Sequence, residues 1–445
     1  METTIVIHAP DLAAVWTSMA RARETPSADD ASLRTVAFHM SLFLVLLLPI
    51  GHAMASIVTA ASSIQRRSTL YTAGLETAAG IEPATIVCMG VAVLVLVLQL
   101  LSAVLSPLAA DAMLFHVATG LVLISVLHGT LHLQLPSKLL LLLILSAAGV
   151  VYPALLLAAW SDHGWFAPSL DSNGLGVIDM GGLGAVHIPI GAIVLTAMLL
   201  LPDTLETAQV HATDPFSILA TGLTSIGWPG LALGHATLFL GGDVWLPTLV
   251  TIAVHTILAS TGGALVGLIA MRTFLPAMDV SVCAFAGFVA GSGSAGLVAP
   301  YVALLLGVGG AGAYLAVAKA AVAAQRLRVP SEYSSAVAVH LGAGVFGLLA
   351  SSVVVSDAQR SAVLGLRNRT TWQQLGANAL LALLAVAWSM LIAAVVLVPV
   401  RLRRDRDVQS MVYTEMDDFD FDSHHDDDGS TICSSKPRRS EWLYR

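Results

Sequence analysis

Asp179-Met180-Gly181-Gly182-Leu183-Gly184-Ala185-Val186-His187-Ile188-Pro189-Ile190-Gly191 opens an apolar run that continues to about residue 202. A second run, 335–355, contains Ala338-Val339-His340-Leu341-Gly342-Ala343-Gly344. Both read Ala-Val-His-x-x-x-Gly. A lone histidine inside a segment long enough to cross a bilayer has two ordinary explanations: it is satisfied by a neighbouring carbonyl, or it faces a polar path. Two in matched contexts favour the path, with His187 and His340 meeting in it. An apolar wall disfavours imidazolium, so such a pair is expected to be neutral. One ring then donates to the other, and the two outer nitrogens are left for a passing polar molecule.

Beyond these stretches, the whole chain has the composition of a membrane protein. Of 445 residues, 56% are hydrophobic and only 11% are Asp, Glu, Lys or Arg, against about 25% charged in soluble domains. Apolar runs of spanning length fall near 35–61, 84–109, 113–133, 139–160, 179–202, 216–240, 246–271, 278–294, 297–324, 335–355 and 373–400. The eighth is short and runs into Gly291, Gly293 and Gly296, so it reads as a half-buried helix joined to the ninth by a tight turn. Residues 1–32 hold Glu24, Asp29 and Asp30 and no apolar stretch of signal-peptide type, so the first span is expected to serve as its own insertion signal. The net charge is −8, much of the acid sits in the C-terminal tail, and no basic face suits a nucleic acid. Cys88, Cys283 and Cys433 are too few and scattered for a disulfide framework or a metal site. No Walker-type phosphate loop and no nucleophile or metal constellation is present, so neither a primary pump nor an enzyme is expected, and no cofactor is implied.

The fold class these features imply is an all-α polytopic membrane protein of eleven transmembrane helices. The histidine echo falls in the fifth and tenth, so a five-plus-five repeat is inverted in the membrane, and the last helix is an extra one. Arg66, Arg67, Lys138, Arg272, Arg326, Arg328, Arg401, Arg403, Arg404 and Arg406 all fall on one side. This places the N-terminus outside and the C-terminus in the cytoplasm. The expected divisions are an extracytoplasmic arm at 1–34, a membrane domain at 35–400 and a largely disordered, acidic cytoplasmic tail at 401–445. Asn368 would then lie outside, in a glycosylation sequon close to the last span.

Asp179 is the remaining charge at a span start. It reads both as a cap on the Gly181 or Gly182 amide and as an anion that favours a cation at a pore mouth.

The string Asp179-Met-Gly-Gly-Leu-Gly-Ala-Val-His187 resembles the signature of the ammonium transporter family (Amt/Mep/Rh), and the preceding Gly-x-Gly-Val-Ile resembles its plant-type branch. The resemblance continues in order. It takes in Val151-Tyr152-Pro153 and Trp160-Ser-Asp-His-Gly-Trp165, Ile226-Gly227-Trp228, the stretch Val282–Pro300, Val339-His340-x-Gly-x-Gly-x-x-Gly347 and Trp388-Ser389. It implies a homotrimer in the bilayer, most simply the plasma membrane, with one pore per subunit. Ammonium, or methylammonium, would lose its proton near an outer vestibule, and ammonia would cross an apolar lumen past the twin histidines. Under this resemblance Asp179 stabilises the vestibule cation, Trp160 offers it a cation–π face, and His187 with His340 line the path and relay the proton.

Several family residues differ. One gating Phe aligns with Thr119 and the third helix ends His132-Leu133-Gln134. The second gating Phe aligns with Leu231 in Trp228-Pro-Gly-Leu-Ala-Leu-Gly-His235, and the vestibule Ser with His235. An Asn-Thr pair becomes His255-Thr256, and an Asp before the second histidine becomes Ser335. Phe115, Phe166 and Phe239 are the candidate replacement gates. His235 reads as a pH-dependent barrier or, with His255, as filling for a polar gap between helices. In the tail, 11 acids stand against 8 bases. There Glu415–His424 faintly resembles a regulatory element, with Asp420 and His424 in its frame and Asp422 where plant members carry a phosphorylatable Thr. These departures leave a second expectation beside transport, a non-conducting ammonium sensor or regulatory subunit of mixed trimers.

Overall fold

The computed structural model describes residues 28–68, 83–104, 110–132, 135–161, 164–167, 174–201, 219, 223–239, 245–273, 280–324, 332–366 and 369–417. Among the described residues the regular secondary structure is helical. Helices α1 (Ala28–Ser68), α2 (Pro83–Val104) and α3 (Ala110–Leu131) lead to α4 (Ser137–Trp160) and α5 (Leu183–Leu200). Next come α6 (Pro229–Phe239), α7 (Trp245–Thr273), α8 (Val280–Ser292) and α9 (Pro300–Ala324). Glu332–Ala336, Val337–Ala343 and Gly344–Val354 run on as α10, followed by the short α11 (Asp357–Leu364) and α12 (Thr371–Asp417).

Among the described residues nine helices are long and apolar enough to cross a membrane. The sixth and eighth expected spans correspond to the shorter α6 and α8. As the glycines suggested, α8 stops at Ser292, and a turn with Gly296 at φ +81° leads into α9. Helix α1 begins at Ala28, ahead of the expected first span, and α12 continues to Asp417, past the expected last one. The chain divides into two units, residues 1–398 and 399–445.

Apolar side chains face both inward and outward. Helix α1 buries Phe38, Leu42, Val45 and Leu48 while Val36, Met40 and Phe43 are more than half exposed. Helix α12 likewise buries Leu381 and Ala385 and exposes Leu383 and Leu391. Exposed apolar faces of this extent belong in lipid, where a helix satisfies its own backbone and hydrocarbon replaces water as the solvent. With no hydrophobic drive between helices in that solvent, close packing must hold them, and small residues permit it. At the α7–α8–α9 contact the backbones nearly touch: a Cβ on Gly263 would lie 2.2 Å from the Cys283 carbonyl oxygen, and one on Gly307 2.0 Å from that of Ala259.

Three stretches wind into π-helix: Ala147–Val151 in α4, Leu183–His187 in α5 and Val337–Ala343 in α10. A π turn fits an extra residue into the helix and turns the following side chains to a different face. Both copies of Ala-Val-His lie in such turns, and their contacts are reciprocal. A Cβ on Gly191, four residues after His187, would sit 2.5 Å from the Leu341 nitrogen. One on Gly344, four residues after His340, would meet Ile188 at 3.3 Å and the His187 Cβ at 3.6 Å. Each glycine therefore receives the residue next to the opposite histidine, the contact pattern that a twofold relation between the segments produces.

Candidate functional site: paired histidines between α5 and α10

Gly182, at φ +74°, turns the chain into α5 so that the first amides of the helix face back toward Asp179. The Asp179 carboxylate accepts from the Leu183 amide at 2.6 Å and the Gly184 amide at 2.9 Å. The expected cap is present: the Gly182 amide foreseen from the sequence turns to the carboxylate, and the Leu183 and Gly184 amides join it. The left-handed glycine extends the bonding along the chain. Asp179 is 6% exposed, so its charge is balanced by the positive end of the helix rather than by water.

The preceding segment is fixed from α12. Asn378 accepts from the Ile178 amide at 3.2 Å and donates to the carbonyls of Ile178, at 3.2 Å, and Leu348, at 2.6 Å. Gln374 donates to the Gly176 carbonyl at 2.7 Å. From the other side, the Met180 amide donates to the Gly293 carbonyl in the α8–α9 turn at 3.0 Å. Asp179 thus stands on a backbone held by several elements.

Trp160, the last residue of α4, donates its indole N–H to the Asp179 backbone carbonyl at 3.2 Å, and its ring edge borders Gly182. Aromatic groups from two other helices surround the indole. Phe115 of α3 stacks on it, with centroids 6.1 Å apart and planes at 21°. His235 of α6 lies 4.9 Å away and His116 of α3 6.4 Å. Gly234 makes room for Phe115, because a Cβ there would come within 2.3 Å of the Phe115 ring.

The two histidines of the echo meet. His187 Nδ1 and His340 Nδ1 are 2.9 Å apart in a hydrogen bond, with the rings 5.2 Å centroid to centroid and 22° from parallel. Such a bond requires one Nδ1 to carry hydrogen and the other to offer its lone pair. In the neutral pair the outer Nε2 atoms therefore differ, one an acceptor and one a donor. His187 Nε2 is buried and has no hydrogen-bond partner among the described residues. Trp228, just before α6, lies 4.6 Å from His187 and 6.0 Å from His340, and Phe285 of α8 lies 6.5 Å and 5.8 Å away. His52 of α1 approaches Trp228 at 6.4 Å.

The remaining sequence candidates separate. Leu231 is buried, its amide bonded to the Trp228 carbonyl. Thr119 is buried and returns its hydroxyl to the Phe115 carbonyl at 2.8 Å, so it fills its own helix groove. His255 accepts from the Gly296 amide at 3.0 Å and packs the α8–α9 turn. Phe166 is buried in the segment that returns from Trp160, its amide on the Ala158 carbonyl. Among the described candidate phenylalanines, Phe115 stacks on Trp160. The Phe239 side chain, Asn368 and the tail residues Asp420, Asp422 and His424 lie outside the described residues. Three groups at the site carry no motif in the sequence, namely Phe285, His116 and His52. Phe285 lies three residues before Phe288, with which it stacks at 6.0 Å, and that spacing is the available signal for an aromatic face on α8.

The model of the Ammonium Transporter Family matches residues 68–427. A curated relative from Caenorhabditis elegans, "Putative ammonium transporter 1", is 27% identical over 270 residues, 54% of this chain and 48% of that protein. The chain thus aligns with about half the length of that relative. Among solved structures, Mep2 of Saccharomyces cerevisiae superposes with a TM-score of 0.62 at 15% identity, covering 82% of this chain and 87% of the other. A "Sensor Amt Protein" does so with a TM-score of 0.61 at 17% identity, covering 83% and 93%. Candida albicans Mep2 gives 0.61 at 16%, covering 82% and 83%. At these identities the superpositions establish a common fold, and the family match covers most of the sequence. The chain belongs to the Ammonium Transporter Family.

Proposed function

We propose that the protein carries ammonium nitrogen across a membrane, taking in ammonium beside Asp179 and Trp160 and passing ammonia along the lumen at His187 and His340. The observation that carries this reading is the buried Nδ1–Nδ1 hydrogen bond of 2.9 Å, on a helix headed by the amide-bound carboxylate of Asp179. A charge at the bilayer centre costs at least about 2.5–3.5 kcal/mol, and the lumen around the histidines offers rings rather than counter-charges. Ammonia avoids most of that cost. Its proton must remain behind or travel separately, and a neutral pair with one outer donor and one outer acceptor suits the second route.

At the Trp160 end, Asp179 supplies the field that favours the cation, and the indole supplies a π face. Phe115 covers that face and takes the role of an aromatic gate, in place of the rings lost at Thr119 and Leu231. His235 is the nearest imidazole to the indole and is the candidate first acceptor of the proton. The aromatic cover from Phe115 weakens the case for the non-conducting alternative, which rested on the missing gate. We further assign the outside N-terminus, cytoplasmic C-terminus, eleven crossings, homotrimer and plasma-membrane placement to this reading, on the Lys/Arg distribution and the family resemblance.

The test is uptake of labelled methylammonium by cells lacking their own ammonium transport. His187→Ala and His340→Ala are each expected to reduce uptake at least about tenfold with surface amounts unchanged, roughly the value of one lost transition-state hydrogen bond to a charged group. Uptake equal to wild type in both variants would overturn the assignment of the lumen.

A further inference from the structure

Near the Asp179 end of α5, a cleft of about 520 Å³ opens between α11 and the start of α12, lined by Asp357, Ala358, Arg360, Ser361, Leu366, Arg369 and Thr370. Two guanidinium groups face it. Arg360 is 1% exposed, donates to the Ser352 carbonyl at 3.2 Å and pairs with Asp357. Arg369 donates one Nη2 bond, 2.7 Å, to the Gly174 carbonyl. Among the described residues its other nitrogens have no hydrogen-bond partner. The lining therefore carries two positive charges against the single carboxylate of Asp357, whose side chain is 79% exposed.

Two further features suit an anion. Thr370 caps α12 through a reciprocal pair with Gln373, its hydroxyl accepting at 3.2 Å and its amide donating to Oε1 at 3.0 Å, so the positive end of that long helix opens on the cleft. Ser361 contributes a hydroxyl with no partner among the described residues. Burial, and then the Arg369 charge, hold the Arg360 guanidinium below its usual pKa. Like charges gathered around a cavity lose stability unless a counter-ion enters, and a forked guanidinium matches a tetrahedral oxyanion better than it matches chloride.

We propose that this cleft is a binding site for a phosphate-class oxyanion, supplied either free in solution or as a phospholipid headgroup. Arg369 and Arg360 hold the oxygens, Ser361 adds a donor, and Leu366 forms the apolar floor. The bound anion braces Arg369 against Gly174 and, through it, the backbone that runs on to Asp179. The site is independent of what the lumen conducts.

The test is thermal unfolding of the full-length protein in uncharged detergent, followed by tryptophan fluorescence at constant ionic strength. Inorganic phosphate is titrated against chloride, and a short-chain phosphatidylglycerol against the matching phosphatidylcholine. A saturable rise in midpoint with phosphate supports the site and identifies a free anion as sufficient. A rise with phosphatidylglycerol alone supports it as a headgroup site. In either case Arg369→Gln and Ser361→Asp should raise the half-saturating concentration by at least about tenfold. Ser361→Asp keeps both guanidiniums and the Gly174 bond, so it decides the matter if Arg369→Gln does not fold. No rise above the chloride and phosphatidylcholine controls, or an unchanged half-saturation in Ser361→Asp, would overturn the proposal.

Discussion

Asp179 carries two loads at once, which makes it the most informative single residue. Its carboxylate satisfies two helix-start amides, and under the proposed function its field attracts a cation beside Trp160. Asn is nearly isosteric but uncharged and offers one acceptor oxygen for two amides. Asp179→Asn should therefore lower stability by about 1–3 kcal/mol, the cost of an amide left without its partner, read as a lower unfolding midpoint in detergent. It should also weaken methylammonium uptake by more than that stability loss explains, because the charge is gone while the fold persists.

Phe115 separates differently. Replacing it with Ala empties the space between Trp160 and Gly234 and should cost about 3–5 kcal/mol, as for buried aromatic residues generally. In the fraction that folds, uptake should rise rather than fall if the ring closes the lumen. Unchanged uptake per folded molecule would remove Phe115 from that role.

The helices explain why some of this is legible in the sequence and some is not. Apolar runs and the Ala-Val-His echo survive any rotation of a helix about its axis, so the segments and the two histidines can be read directly. Ring neighbours do not survive it. Each extra residue in a π turn rotates the side chains beyond it by roughly 100°, and three such turns lie in α4, α5 and α10. On α3, which has no π turn, pattern marks the ring missing at Thr119 and leaves Phe115, four residues earlier, as one candidate replacement; its stacking on Trp160 follows from how α3 packs on α4, which neither helix's sequence displays. The family resemblance points to Trp228 as a pore residue, but nothing in the sequence brings Phe285 of α8 to the same histidine pair. Pattern gives the Gly182 amide at Asp179 but not the Leu183 and Gly184 amides that join it, since these depend on the left-handed turn at Gly182.

Helix contacts also give a graded prediction. A Cβ on Gly191 would lie 2.5 Å from backbone nitrogen in α10. Gly191→Ala should push α5 from α10 and lengthen the Nδ1–Nδ1 contact, lowering both stability and uptake. Gly376 has nothing within 4 Å of an added Cβ, so Gly376→Ala should be neutral or stabilise α12 by about 0.5–1 kcal/mol. Unfolding midpoints of the two variants, measured side by side, check the packing.

For the whole molecule the question is whether the proposed path past the two histidines conducts. The membrane domain presents lipid-facing apolar surfaces and backbone-close glycine contacts, together with a neutral histidine pair enclosed by rings. That combination suits a path for an uncharged species with a separate route for its proton. A receptor without transport would need the Asp179 and Trp160 end but not a buried imidazole pair among aromatic groups. The most direct measurement uses sealed liposomes containing only this protein and a pH-reporting dye inside, challenged with an inward ammonium gradient. Transport through the lumen should give a rapid protein-dependent pH change, or a current if the proton follows, that is lost in the His187→Ala, His340→Ala double variant. A response no greater than that of protein-free liposomes, with the protein folded and inserted, would contradict it.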